Sequence, residues 1–169
     1  MASPISLLTS HISWALTTLG YVKKKLFLGA ANKTRDFLVS GGRSMSCAID
    51  SYRDLKSLNL KDWPSYVANQ AALAERDGCG NCGPHAAVAF QYLKRQGVSP
   101  IDYMMYSSGD HAFVVIGRAA SSKAADYKTW GPDAVVCDPW GGVVCAASEI
   151  PKSRMYGGWE GGLVSRVRA

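Results

Sequence analysis

A cysteine in a glycine-rich turn that leads straight into an apolar helical pattern is the feature that most constrains this chain. Residues 78–90 read GCGNCGPHAAVAF, so Cys82 is followed at once by Gly83 and Pro84. Proline is favoured in the first turn of a helix, where its missing N–H costs nothing. We therefore predict that Cys82 lies at a helix N-terminus. There the helix dipole and the free backbone N–H groups stabilise a thiolate.

Two further polar residues follow in the order that a nucleophilic thiol requires. His111 opens the apolar run AFVVIG, and Asp138 ends the strand-like run VVCD. We expect the two runs to be adjacent strands that bring both side chains to the helix tip. A histidine there takes and returns the thiol proton, and an aspartate fixes the imidazole tautomer. Cys82, His111 and Asp138 are therefore the predicted catalytic residues, as nucleophile, base and orienting acid.

The other cysteine of the turn, Cys79, has several possible roles. The spacing Cys79-x-x-Cys82 also occurs in thiol redox motifs, but those follow a strand, and here a helical pattern precedes the pair. A zinc site with Cys137 and Cys145 is disfavoured because seven residues separate that second pair. Cys79 would otherwise form a disulfide with a neighbour or simply line the turn. We expect neither a metal nor a cofactor.

Several other polar residues near these motifs are weaker candidates. Asn69, Gln70 or Asn81 would be able to supply a side-chain donor to an oxyanion, although a solvated helix face is the simpler expectation for Asn69 and Gln70. His85, in the first turn of the predicted helix, is expected to be structural. Trp140 is expected to pack beside Asp138 and to shape a cleft.

The order of elements predicts an α+β fold. Leu8, Ile12, Leu16 and Leu19 follow helical spacing, with Ser10 as a candidate cap and Gly20 as a candidate end. Further helices are predicted over residues 45–58, 60–76, with Asp62 as a cap, and 84–96. Strands are predicted over 101–106 and 111–118, joined as a hairpin by a turn at 107–110, and over 134–138 and 142–146. Residues 32–44 are mixed in pattern and end in a predicted flexible join, SGGRS at 40–44. A polar loop is predicted over 119–133 and an irregular tail over 156–162.

Charge is unevenly distributed along the chain. Residues 1–62 hold nine Lys/Arg and four Asp/Glu, whereas residues 63–169 hold ten and nine. A basic front end suggests a targeting segment or an anionic membrane surface, and no aromatic–basic repeat supports nucleic-acid binding. No apolar run reaches the length of a membrane span. We divide the chain into a basic N-terminal leader or helical segment, 1–46, and a catalytic domain, 47–169. The leader either packs on the domain or serves targeting or membrane binding.

The cysteine count bears on the redox environment. Five cysteines is an odd number, and a chain of 169 residues does not need a disulfide framework. We therefore expect a compartment that keeps thiols reduced.

The segments GNCGPHAAVAF, GDHAFVVIGR and VVCDPWGG together resemble the papain-like and transglutaminase-like cysteine enzymes. They are most similar to the papain-like catalytic domains of bacterial dermonecrotic-type toxins and related secreted effectors. The resemblance implies a papain-like core, in which a helix bearing the nucleophile packs on a small antiparallel sheet. It assigns Cys82 as nucleophile, His111 as base and Asp138 as orienting acid.

The same resemblance implies a glutamine deamidase, or a transglutaminase where an amine replaces water. It would act on a host signalling protein such as a GTPase, in the host cytoplasm or at the membrane, after secretion by a bacterium. Two alternatives remain. A papain-like cysteine protease would use the same triad, and an interaction module would retain the scaffold without activity.

Overall fold

The computed structural model describes residues 6–106, 111–152 and 162–169. The predicted turn at 107–110 and most of the predicted irregular tail at 156–162 lie outside the described residues. The described residues form five α-helices and a five-stranded antiparallel sheet, so the α+β class predicted from the sequence is confirmed.

The helices precede the sheet in the chain. They are α1 (Leu7–Lys25), α2 (Thr34–Val39), α3 (Arg43–Ser57), α4 (Trp63–Asp77) and α5 (Cys82–Arg95). The strands are β1 (Ile101–Tyr106), β2 (Ala112–Ile116), β3 (Val135–Asp138), β4 (Val143–Ala146) and β5 (Leu163–Arg168). Two short 3-10 helices, Tyr127–Thr129 and Ala147–Lys152, flank β3 and β4.

The sheet has the order β4-β3-β2-β1-β5, and each neighbouring pair is antiparallel. The predicted hairpin is β1–β2, with Tyr103 opposite Val114. Strand β3 pairs with β2, so that Val114 lies opposite Cys137. This register places the start of β2 and the end of β3 next to each other, at the same end of the two strands. His111 precedes β2 and Asp138 ends β3, so the topology brings the two residues together.

Helix boundaries follow local capping chemistry. Asp62 caps α4, as predicted: its Oδ1 accepts the Ser65 N–H at 2.7 Å. For α1 the cap is Ser6, whose Oγ accepts the Thr9 N–H at 3.2 Å, rather than the expected Ser10. Gly20 does not end that helix, which continues to Lys25. Interior packing therefore outweighs the small cost of a helical glycine.

Helix α5 lies against one face of the sheet and also packs on α1 and α4. Its residues from His85 to Phe90 are all buried. Ala15 and Val22 of α1 are fully buried in the same core. The 1–46 segment thus contributes to the core that surrounds α5, and its separation from residues 47–169 at the level of domains stays a prediction. In the described residues, no helix combines the length and the apolar character needed to cross a membrane.

Three elements differ from the sequence prediction or were not predicted. Residues 34–39, in the stretch of mixed pattern, form α2, and β5 adds an edge strand beside β1. The loop 119–133 holds Trp130, which is fully buried in a second apolar cluster, on the other face of the sheet from α5. Its indole N–H donates to the carbonyls of Lys123 and Ala124 at 3.1 and 3.2 Å.

Candidate active site

Cys82 is the first residue of α5, and the preceding glycines set its position. Gly78 ends α4 at φ +78°, and Gly80 has φ +153°. A Cβ on Gly80 would lie 2.3 Å from Cβ of Pro84, so only glycine fits where the turn folds against the first turn of α5. The prediction of a helix N-terminus at Cys82 is therefore confirmed.

The environment of Cys82 favours the thiolate. Burial alone would raise the pKa of the thiol. A hydrogen bond to His111, the Ala112 N–H, the charge of His111 and the Gly83 N–H act in the opposite direction and together lower the pKa below its ordinary value. Donors directed at the sulfur, near the positive end of a helix dipole, stabilise its ionised form.

His111 links the thiol to Asp138. Its Nε2 lies 2.7 Å from Oδ2 of Asp138, and the ring also hydrogen-bonds with Cys82. With Nε2 on the carboxylate, Nδ1 is the ring nitrogen that remains for the sulfur. Burial would lower the pKa of His111, but the bonds to Asp138 and Cys82 and their charges raise it to about 9. The site therefore favours an imidazolium beside a thiolate.

Asp138 is held rigidly behind the histidine. Its side chain is fully buried, and its Oδ1 accepts the Gly141 N–H at 2.8 Å. Each carboxylate oxygen thus has an N–H partner, and a buried carboxylate needs such partners. The fixed carboxylate can orient the imidazole and stabilise its charged form. One chain of hydrogen bonds joins Cys82, His111 and Asp138. Cys82 and Asp138 are 56 residues apart in the sequence.

Trp140 packs on the histidine from the side opposite the helix core. Its ring lies edge-on to His111, with centroids 5.2 Å apart. Its indole N–H donates to Oδ1 of Asn32 at 3.1 Å, and Lys33 stacks over its ring with Nζ 4.7 Å from the centroid. The Lys33 ammonium also donates to the Trp140 carbonyl. Trp140 therefore connects the site to the segment between α1 and α2, a connection that the sequence does not reveal.

A cleft of about 460 Å³ opens beside Cys82 and His111. Its walls are mainly apolar and aromatic, and α3 supplies one side. The residues that carry this character are Met45, Ile49, Tyr52, Trp63, Tyr66, Leu73 and Met105. An apolar cleft that ends at a nucleophile excludes water and binds the carbon skeleton of a substrate.

Gln70 lies in this cleft rather than on the solvated helix face expected from the sequence. It is 9% exposed, and its Oε1 accepts the Tyr103 hydroxyl at 3.3 Å. Its Nε2 lies 3.2 Å from the position that a Cβ on Gly83 would occupy, next to the nucleophile. Asn69, by contrast, donates to the Ser65 carbonyl of its own helix. Gln70 sits on the inner face of α4 because Val67, Ala71 and Ala74 bury that face.

Two other candidates have structural partners. His85 is buried, and its Nδ1 lies 2.9 Å from the Asn81 carbonyl, in keeping with the structural role expected for it. Burial lowers its pKa, so it is neutral near pH 7. The Oδ1 of Asn81 accepts the N–H of Asn32 at 3.2 Å, and an oxyanion role for its Nδ2 stays a prediction.

Cys79 forms a disulfide with Cys47, which ties α3 to the turn before α5. A disulfide is one of the roles that the sequence leaves open for Cys79, and the compartment in which the protein works stays a prediction. The sulfur of Cys79 is bonded to Cys47, and Cys82 lies outside the disulfide. Among the described residues, no three His, Cys, Asp or Glu side chains are placed to hold a metal ion.

Comparison with known proteins returns no relative: no protein-family model matches this chain, and no curated protein matches it. The chemistry of the site rests on its geometry. The arrangement can present an ionised sulfur, a proton donor on its imidazolium partner and first-turn N–H groups at a common point.

Proposed function

We propose that this chain is a cysteine-dependent amidohydrolase that deamidates glutamine in a host protein, with Cys82, His111 and Asp138 as its catalytic triad. The observation that carries the proposal is the hydrogen-bonded chain from Cys82 through His111 to Asp138 at the start of α5. The helix that bears the nucleophile and the antiparallel sheet beside it fit a papain-like core. The resemblance of the three motifs to toxin deamidase domains favours the side-chain carboxamide as substrate.

In the first half of the reaction, the Cys82 thiolate attacks the carboxamide carbon and forms a C–S bond. The carbonyl oxygen becomes an oxyanion, which first-turn N–H groups of α5 and the Gln70 carboxamide N–H stabilise. The His111 imidazolium then donates its proton to the amide nitrogen. The C–N bond breaks, ammonia leaves, and a thioester remains on Cys82.

In the second half, water enters the cleft and His111, now neutral, takes one of its protons. The resulting hydroxide attacks the thioester carbon, the C–S bond breaks, and a glutamic acid side chain leaves, which releases its proton to solvent and becomes glutamate. Cys82 returns to the thiolate and His111 to the imidazolium. An amine in place of water would give transglutamination, and a backbone amide in place of the carboxamide would give proteolysis.

The disulfide bears on where the protein travels. Cys47–Cys79 is typical of proteins that pass through an oxidising compartment. This supports the secretion step that the resemblance implies. The substrate under this proposal is a host signalling protein.

The test is mass spectrometry of host-cell lysate proteins after incubation with the wild-type protein or with Cys82→Ala. The proposal predicts an intact target in which one glutamine has become glutamate with the wild type alone. Cys145→Ala, which removes another free thiol, is the matched control and is expected to behave as wild type. New termini would identify a protease, an added amine a transglutaminase, and identical lysates an interaction module; each would overturn the deamidase proposal.

A further inference from the structure

A basic groove of about 610 Å³ is lined in part by Trp140 and has a lining separate from that of the catalytic cleft. We define the basic groove by its cations, Lys23, Lys24, Lys33 and Arg43. The end of α1, the segment before α2 and the start of α3 supply these residues. Asp36 is the carboxylate in the described lining, and its Oδ2 already accepts the Ala30 N–H at 2.9 Å.

Three of the four cations that define the groove have no ion-pair partner in the part of the chain that the structure describes. Lys23, Lys24 and Arg43 are exposed, and none forms an ion pair with a residue that the structure describes. Arg118 and Arg168 behave differently, since both bind Asp102. Converging cations without partners produce a positive potential that attracts anions.

Exposed apolar side chains border the same groove. Phe27 and Val39 line it at 71% and 82% exposure, and Leu38 beside Val39 is 68% exposed. A site for a soluble polyanion gains nothing from such a rim. Cations next to exposed apolar side chains are the arrangement of surfaces that lie on anionic bilayers, where the cations bind headgroups and the apolar groups enter the acyl boundary.

We propose that the basic groove and its rim of Phe27, Leu38 and Val39 dock this protein on an anionic lipid bilayer. Lys23, Lys24 and Arg43 contact headgroup phosphates and carboxylates, and the rim enters the acyl boundary. Trp140 lines the groove and also contacts His111, so docking holds the catalytic site close to the bilayer. This inference does not depend on the chemistry proposed for Cys82.

The experiment is co-sedimentation of the full chain with vesicles of phosphatidylcholine alone or of phosphatidylcholine and phosphatidylserine in equal parts. Wild type is expected to sediment with the mixed vesicles alone and to be released by added salt. The variant Lys23→Gln/Lys24→Gln/Arg43→Gln is expected to bind about 100-fold more weakly, since each cation near the surface contributes about 1 kcal/mol. Its charge-matched control is Lys56→Gln/Lys61→Gln/Lys94→Gln, which changes exposed cations elsewhere and is expected to bind as wild type.

A second variant, Leu38→Ser/Val39→Ser, tests the apolar rim at exposed positions where folding is not at stake. The proposal predicts that this variant sediments more weakly than the wild type. It also predicts that inositol hexakisphosphate, a soluble polyanion, does not fully displace the wild type from the vesicles, because the rim contributes to binding. Full binding by this variant, together with displacement by inositol hexakisphosphate, would show a soluble polyanion site and overturn the bilayer proposal. Equal binding by the groove variant and its charge-matched control would overturn it as well.

Discussion

At the scale of single residues, the candidate site combines a thiol that ionises easily with a histidine that holds its proton strongly. Burial disfavours both the Cys82 thiolate and the His111 imidazolium. Hydrogen bonds and nearby opposite charges outweigh burial and stabilise both ions. A thiolate–imidazolium pair of this kind is the main form at pH values between the lowered pKa of Cys82 and the raised pKa of His111. Activity should therefore fall at low pH as Cys82 binds a proton and fall above about pH 9 as His111 loses one.

Asp138→Asn tests the origin of the upper limit. The substitution removes the negative charge that helps to raise the pKa of His111 to about 9. We expect the descending limb of a kcat/KM profile against pH to move toward the ordinary imidazole value. Asp50→Asn, which changes an exposed carboxylate paired with Arg53, is expected to leave the limb in place. An unshifted limb in Asp138→Asn would show that the carboxylate does not act through the histidine.

Gln70→Ala tests the proposed side-chain donor to the oxyanion. Loss of one such donor typically lowers kcat by roughly 10²–10³-fold. We expect a loss of this size in kcat with little change in KM, because the interaction forms in the transition state. Asn69→Ala is the matched control on the same helix, since Asn69 bonds to its own helix. Equal activity of the two variants would remove Gln70 from the mechanism.

At the scale of elements, the Cys47–Cys79 disulfide anchors α3 beside the turn that positions Cys82. Residues 32 apart in sequence are joined, and a bond of this kind typically stabilises a fold by about 2–4 kcal/mol. We expect Cys47→Ser to lower the free energy of unfolding by an amount in this range, measured by urea denaturation. Cys145→Ser is expected to change it little, and equal stability of both variants would contradict the anchoring role.

Elements with strong local signals were predictable from the sequence. Asp62 at the start of α4, the helix after Cys82 and the β1–β2 hairpin each follow from local residue chemistry. Their order also predicts that His111 and Asp138 border adjacent strands, which is where the structure places them.

The remaining features depend on contacts between residues far apart in the sequence. From the sequence, Gln70 is only a polar residue on a helix. Its side chain points inward because of which face of α4 packs on α5, and that is a tertiary contact. The pairing of Cys47 with Cys79 depends on how α3 lies beside the turn. The contact between Lys33 and Trp140 joins positions 107 residues apart. Helix α2 has six residues, too few for a clear periodic pattern.

At the scale of the whole molecule, α1 shares the core around α5 with α4 and one face of the sheet. Ala15 and Val22 are fully buried there, and His11 packs near the sheet with its Nδ1 2.7 Å from the Asp133 carbonyl. Removal of α1 would expose the apolar residues that it covers.

A chain of residues 47–169 tests this dependence. We expect it to lack the cooperative thermal unfolding transition of the full chain and to bind a hydrophobic dye, because it loses α1 and its core contacts. A cooperative transition at the temperature of the full chain would show that residues 47–169 fold independently.

The central claim is that Cys82 is a thiolate activated by His111, and alkylation tests it most directly. Rates of iodoacetamide modification at Cys82 and Cys145 would be measured by peptide mass spectrometry across a range of pH. Burial raises the pKa of Cys145, so its rate should rise at alkaline pH. Cys82 should stay reactive well below the ordinary thiol pKa of about 8.5 and lose that reactivity in His111→Ala. A rate at Cys82 that follows an ordinary thiol, or that His111→Ala leaves unchanged, would contradict the account.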